Sequence, residues 1–305
     1  MSTTSVPMTT TPQVVPTTGG AGKIAKKKLT SKWASLAAVI IAVLWTLPTF
    51  GLAISSIRPE REIRNSGWWT FFTNPQVTLD NYRMVLSSEG SSALGNFFVN
   101  SFVIVIPSVI IPVCLATLAA YVFAWIKFPG RDVLFVAIFA LQIVPIQVTL
   151  LPLLTIYVKT GIAGEFWTLW LSHSIFALPL AIFLLHNFMK EIPRALLEAA
   201  RVDGAGHVQI FFKVLLPLLT PALAAFGIFQ FLWVWNDLLV ALTFAGGTDE
   251  VAPITVALAN LSGTRGTAWH LLSAGAFVSI IVPVIVFLSL QRYFVRGLLA
   301  GGLKG

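Results

Sequence analysis

Six long apolar stretches alternate with polar segments along this chain, at roughly 33–57, 97–126, 133–157, 166–189, 218–242 and 271–291. About 20 apolar residues cross a bilayer core as a helix, because the core is about 30 Å thick and each helical residue rises about 1.5 Å. The pattern therefore predicts an all-α integral membrane protein with six transmembrane helices. Five of the six stretches contain no Asp, Glu, Lys or Arg, and the fifth carries Asp237. Pro48, Pro107, Pro112, Pro145, Pro152, Pro179, Pro221 and Pro283 fall inside the spans. They read as kinks, since neighbouring helices satisfy the freed backbone groups in a membrane.

The flanking segments set domains and orientation. Residues 1–32 are rich in Ser, Thr, Pro and Gly and end in a basic cluster, so they read as a disordered basic cytoplasmic tail. The apolar run behind them is too long for a signal-peptide core and lacks a clear small-residue cleavage site, so it reads as a retained first helix. The six-helix membrane domain then covers 33–293, with a cytoplasmic C-terminal tail at 294–305. With the N-terminus inside, the inner segments hold Lys23, Lys26, Lys27, Lys28, Lys32, Lys127, Arg131, Lys190, Arg194, Arg201, Lys213, Arg292, Arg296 and Lys304. The outer segments hold only Arg58, Arg61, Arg64, Arg83, Lys159 and Arg265. Cytoplasmic loops carry the basic excess, which places both termini inside.

Composition supports the membrane reading. The chain is 56% apolar and 10% charged, against about 25% charged in soluble domains. Its net charge of +8 does not indicate nucleic acid, because the basic residues flank apolar runs and form no aromatic-interleaved patch. Catalytic chemistry is not visible either. Gly19-Gly20 begins no phosphate loop, Cys114 stands alone, and His173, His186, His207 and His270 lack ligand spacing.

Two loops exceed plain connections. The external loop 58–96 carries Trp68, Trp69, Phe71 and Phe72, suited either to the membrane interface or to capping a partner. The internal loop 190–217 is expected to form two short helices. Pro193 suits a first helical turn. Arg194 with Glu198, and Glu198 with Arg201, have helix-pair spacing. Ile192, Ala195, Leu196, Ala199 and Val202 give a mixed apolar and small-residue surface. Gly204 and Gly206 break the helix, Asp203 is placed to cap the next segment, and Pro217 starts the fifth span. Spacing alone leaves two readings open: a hairpin lying on lipid, or a knob inserted into a groove on a cytoplasmic partner.

The run EAARVDGAG within that loop resembles the EAA motif of ABC-importer permeases: Glu198, Ala199, Ala200, then Gly204, with the ending Lys213-Val214-Leu215-Leu216-Pro217. The ending departs slightly, since Val214 stands where Ile is commoner. Asn100-Ser101, AAYVFAWIKFPGR (Ala119 to Arg131), Trp235-Asn236-Asp237 and the ending QRYFVRGLLAGGLKG resemble the carbohydrate-uptake subfamily, nearest the smaller permease of maltose-type systems. The resemblance covers roughly 33–305. It implies the type I ABC-importer permease fold, with 190–217 forming a coupling helix seated on an ATPase subunit through Glu198, Ala199, Ala200, Asp203, Gly204 and Ala205. It also implies that the tail, including Gly297, Lys304 and Gly305, reaches the ATPases. The partners implied are a second homologous permease, two ATPase subunits, an extracytoplasmic solute-binding protein, membrane lipid and a carbohydrate, an oligosaccharide or glucoside. No cofactor is implied in this subunit; ATP and Mg belong to the partner ATPase. The setting implied is a bacterial plasma membrane, and the mechanism is alternating access.

In-span polar groups are the path candidates. Gln142, Gln147 and Gln230 suit either sugar hydroxyls or neighbouring helices. Asn236 and Asp237 suit either helix packing or the path and its outer gate. Trp233 and Trp235 suit either a sugar face or core packing. The rival class is an ion-gradient-driven transporter or channel subunit, which would want ionisable groups near the midplane and internal repeats. Asp237 alone answers that description.

Overall fold

The structure, a computed structural model, describes residues 32–87, 94–246, 250–262 and 268–302, without side chains for 262 and 292–302. Of the expected N-terminal tail 1–32, residues 1–31 lie outside the described residues, as do Lys304 and Gly305, and Lys32 begins the first helix. Among the described residues the chain is helical, without strands.

The chain divides into two units, Met1–Leu52 and Ala53–Gly305. The described part of the first unit is helix α1 (Lys32–Ser56) as far as Leu52. Its side chains, Trp33 and Trp45 among them, are exposed almost throughout, as a lipid-facing helix requires.

The second unit continues through α2 (Glu60–Asn65), a 3-10 turn (Trp68–Phe72) and α3 (Asp80–Leu86) to the long α4 (Gly95–Trp125). Then follow α5 (Arg131–Ala140), α6 (Ile146–Thr160), α7 (Phe166–Glu191), α8 (Arg194–Val202) and α9 (His207–Trp235). Short α10 (Leu239–Phe244) and α11 (Ile254–Ser262) precede α12 (Trp269–Gly302). The most extensive packing is α4 against α7, and α9 lies against α4, α7 and α12. Small residues make the α4–α7 approach close: Ala116 and Ala120 on one helix and Ala181 on the other are fully buried.

Among the described residues five helices are long and apolar enough to cross a bilayer: α1, α4, α7, α9 and α12 up to Gln291. The sixth expected span is two arms. Arg131–Ile143 and Ile146–Thr160 meet at 99°. Pro145 permits the break, because the residue before a proline is pushed out of the helical region, and Val144 is extended at ψ 120°. Proline alone does not cause it, since Pro48, Pro107, Pro112, Pro152, Pro179, Pro221 and Pro283 stay inside helices. Both arms instead pack on α7 at different levels. Phe139 stacks on Phe183 at 4.2 Å between ring centroids, and the Tyr157 hydroxyl lies 3.0 Å from the Ser172 hydroxyl.

The fifth span also differs from the expected 218–242. It starts at His207, passes a π-helical stretch (Ile210–Leu215), and ends at Trp235. A proline ring clashes with the carbonyl four residues earlier. For Pro217 that residue is Lys213, inside the widened π turn, so the helix runs through Pro217 instead of starting there. The C-terminal segment is helical through Gly302, Gly297 included.

The motif pair Asn100 and Ser101 finds a structural role. Asn100 donates to the Ala252 carbonyl at 3.2 Å, and the Ser101 hydroxyl accepts from the Ile254 amide at 2.9 Å. The two residues pin the segment before α11 to the first turns of α4. In the loop after α1, Arg58 is fully buried. Its guanidinium donates to the Gly67 carbonyl, to Thr70 Oγ1 and Ser66 Oγ, and to Glu62 at 3.4 Å. Asn81 donates to the carbonyls of Ser56 and Arg58. This polar knot gives the loop 58–87 a fixed shape, with Trp69 and Phe72 left exposed on it.

Candidate functional site

Helix α8 hangs at one end of the bundle, between α7 and α9. Pro193 precedes its first residue, as the missing N–H permits. One side chain, Leu197, is buried, in a cluster with Met189 of α7 and Ile210 and Leu215 of α9. Leu196, Glu198, Ala199, Val202, Asp203 and Gly204 are exposed, and Ala200 and Ala205 half-buried. Val202 is 86% exposed and Val208 just beyond it 71%. The exposed surface of α8 thus mixes apolar Leu196 and Val202 and small Ala199 with the acid Glu198 and the basic Arg194 and Arg201, and Asp203 follows at its end.

The end of α8 is a Schellman cap. The Ala205 amide donates to the Ala200 carbonyl at 2.9 Å and the Gly204 amide to the Arg201 carbonyl at 3.0 Å. Gly204 sits at φ +83°, a left-handed conformation that costs a Cβ-bearing residue about 1–2 kcal/mol. Asp203 is the C-cap of α8 and does not cap the next helix through its side chain; Gly206 holds that position. The second short helix expected in this loop is instead the first turn of α9. Neither expected ion pair of Glu198, with Arg194 or with Arg201, forms among the described residues. The carboxylate is therefore presented outward.

The turn is fastened to the bundle. The Tyr121 hydroxyl of α4 lies 2.7 Å from His207 Nδ1, and the Tyr121 ring meets Phe211 edge-on at 5.5 Å. A second tight turn stands nearby in the chain, at Phe128-Pro129-Gly130-Arg131. The Arg131 amide reaches back to the Phe128 carbonyl, and Gly130 takes φ +77° and ψ 3°, the third position of a type II turn.

Away from α8, a cavity of about 420 Å3 lies where the broken third span meets α7 and α9. Gln142 and Thr149 line it from the broken span, His173 and Phe176 from α7, and Gln230, Phe229 and Trp233 from α9. Of the polar path candidates, the structure brings Gln142 and Gln230 to this cavity. Gln147 is exposed on α6 and does not line it. Asn236 closes α9, donating to the Leu232 carbonyl at 2.7 Å. Asp237 accepts from the amides of Val240 and Ala241 and so starts α10. The two tryptophans part company. Trp235 is buried among Phe98, Phe102 and Phe231 and donates to the Ser279 carbonyl, so it is core. Trp233 is 48% exposed at the cavity.

His173 is the residue that sequence spacing missed. It lines the cavity, and its Nε2 stands 3.9 Å from Asp237 Oδ2. No sequence pattern joins residues 64 positions apart on α7 and after α9. Among the described residues no group of three or more His, Cys, Asp and Glu side chains gathers as a metal site needs.

This architecture, a helical bundle with a short amphipathic helix slung between two of its spans, defines the class of ABC-importer permeases. The backbone superposes on a chain of a bacterial ABC transporter involved in the import of the acidic polysaccharide alginate, with a TM-score of 0.72 at 20% identity, covering 92% of this chain and 100% of that one. The chain belongs to the family described as binding-protein-dependent transport system inner membrane component, which matches residues 113–299. It is 53% identical to the osmoprotective compounds uptake permease protein GgtD of Synechocystis sp., over 88% of this chain and 91% of the relative. It is 39% identical to the alpha-glucoside transport system permease protein AglG of Rhizobium meliloti, over 90% and 97%. It is 35% identical to the trehalose transport system permease protein SugB of Mycobacterium tuberculosis, again over 90% and 97%. The protein is a membrane-embedded transport subunit.

Proposed function

We propose that this chain is one of two membrane subunits of an ATP-driven importer for a short carbohydrate, an oligosaccharide or glucoside, and that α8 is its joint with the ATPase. The observation that carries the reading is the geometry of α8: one leucine buried, two apolar side chains and the Glu198 carboxylate outward, and a continuous helix from His207 into the bundle. Such a helix fits a groove on a partner. Its displacement moves α9 with it, because the Schellman cap and the Tyr121–His207 contact leave little slack.

On this reading a second, homologous permease faces this one, and two ATPase subunits holding ATP and Mg lie beneath. A solute-binding protein delivers sugar from outside, and alternating access follows ATP binding and hydrolysis. The setting is a bacterial plasma membrane. Both termini are cytoplasmic, as the distribution of Lys and Arg favours, so α8 lies on the side where ATP is present. The relatives named for alpha-glucoside, trehalose and osmoprotective compounds support a small glucoside-like cargo.

The test is uptake by proteoliposomes containing the two permeases, the ATPase and the binding protein. ATP inside should drive accumulation of labelled trehalose or methyl α-glucoside. Uptake that persists without ATP and collapses with an ionophore would overturn the reading in favour of an ion-gradient transporter. Topology is checked by thiol labelling in a Cys114→Ser background: a cysteine at position 203 should react only from the cytoplasmic side and one at position 72 only from outside.

A further inference from the structure

The cavity at the bend of the third span has a chemistry of its own. We propose that it is a binding subsite for an uncharged sugar ring, with the Trp233 indole as its stacking face and Gln142, Gln230 and His173 as hydroxyl partners; this rests on the importer reading above.

The volume, about 420 Å3, falls at the small end of the range of ligand pockets, which suits a short glycoside rather than a long chain. The lining is mostly apolar and aromatic with a few polar groups, the usual composition of a small-molecule site. Trp233 and Phe229 stand together with ring centroids 5.7 Å apart. They offer an extended apolar surface of the kind that covers the C–H face of a sugar.

The polar groups are available. Gln230 is 5% exposed and gives its Nε2 to the Ser108 carbonyl at 3.3 Å. That bond fixes the amide, and among the described residues its Oε1 accepts no hydrogen bond. The Gln142 side chain likewise has no hydrogen-bond partner among the described residues. Gln142 is exposed and Gln230 Oε1 is reached from the cavity, so both amides are open to a hydroxyl-bearing ligand. His173 is held between the cavity and Asp237.

Charge decides the ligand class. The lining holds no Asp, Glu, Lys or Arg, and the nearest charged side chain to His173 is the Asp237 carboxylate, at 3.9 Å. A carboxylate sugar entering here finds no cationic partner and an acid behind the histidine. Burying such an unpaired charge is strongly unfavourable. A neutral polyol loses nothing of this kind.

The experiment uses the whole complex in lipid nanodiscs and a methyl α-glucoside carrying a photoreactive diazirine. Irradiation should label peptides containing Gln142 and Trp233 of this chain. Excess unlabelled methyl α-glucoside should suppress that labelling and glucuronic acid should not. Trp233→Ala should weaken the labelling about five- to tenfold, the loss of one aromatic stacking contact, and Trp233→Phe should retain most of it. Co-purification of the ATPase with the variants shows that they are assembled. Labelling confined to the partner permease, or insensitive to unlabelled sugar, overturns the subsite while ATP-driven uptake leaves the importer reading standing. Wild-type complex that transports neither methyl α-glucoside nor trehalose under ATP overturns the importer reading and the subsite together.

Discussion

Tyr121 and His207, 86 residues apart in sequence, meet at 2.7 Å between hydroxyl and ring nitrogen. The contact ties the turn after α8 to α4, and α4 packs along α7. Tyr121→Phe keeps the ring against Phe211 and removes only the hydroxyl. It should cost about 0.5–1.5 kcal/mol, the net value of one hydrogen bond. His207→Ala should cost a similar amount, and the double variant less than the sum, because both remove one interaction. Thermal unfolding of the purified complex measures the cycle. The number of ATP molecules hydrolysed per sugar imported should rise in both single variants; an unchanged ratio would mean that the contact transmits nothing.

Gly204 is needed for its backbone, not for space, since a Cβ there meets nothing within 4 Å. Gly204→Ala should therefore loosen the turn by about 1–2 kcal/mol, and Gly204→Asn by less, because Asn visits the left-handed region more readily. Amide exchange across 194–206 should quicken in that order. Equal protection in both variants would show that the α8 turn is held by its packing rather than by its cap.

Glu198 is exposed and forms no ion pair among the described residues, so Glu198→Lys should leave the fold and membrane insertion intact. If α8 docks on an ATPase, the variant should co-purify with less of it and lose most ATP-driven uptake. Undiminished co-purification with normal uptake would count against the docking role.

Arg58 has no exposed surface and four hydrogen-bonded acceptors. Arg58→Leu removes these bonds, although the Gly67 carbonyl and Ser66 Oγ keep Thr70 as a donor, and should destabilise the loop by about 2–3 kcal/mol, the scale of bonds to a charged group. Arg58→Lys should not rescue it, since an ammonium cannot reproduce the planar fork. Limited proteolysis between residues 59 and 79 reads the outcome: cleavage should be fast in both variants and slow in the wild type.

The bend of the third span is set by its neighbours. Pro145→Ala should therefore leave the two arms bent. Spin labels at positions 133 and 158, both on exposed valines, would lie about 38 Å apart on a straight helix at 1.5 Å per residue. The variant should keep the shorter wild-type distance. Lengthening toward the straight value would show that the proline, and not packing on α7, makes the bend.

Much of this protein is written locally. An apolar run of 20 residues has one outcome in a bilayer, a helix, because only internal hydrogen bonding satisfies its backbone there. The sequence by itself therefore determined the helical membrane class, the position of most spans, and the break of α8 at Gly204, whose freedom is intrinsic to glycine. Through its EAA run it also pointed to the family. Tertiary structure decided what depends on residues distant in sequence. Pro145 and Pro152 look alike in the chain, yet only the first stands at a break, because α5 and α6 find separate seats on α7. Pro217 does not start a helix, because a π turn before it relieves the clash. Trp233 and Trp235 differ by two positions, yet packing sends one to the cavity and the other to the core. His173 joined Gln142 and Gln230 for the same reason: a cavity is a property of surfaces brought together, and no periodicity along one strand of sequence encodes it.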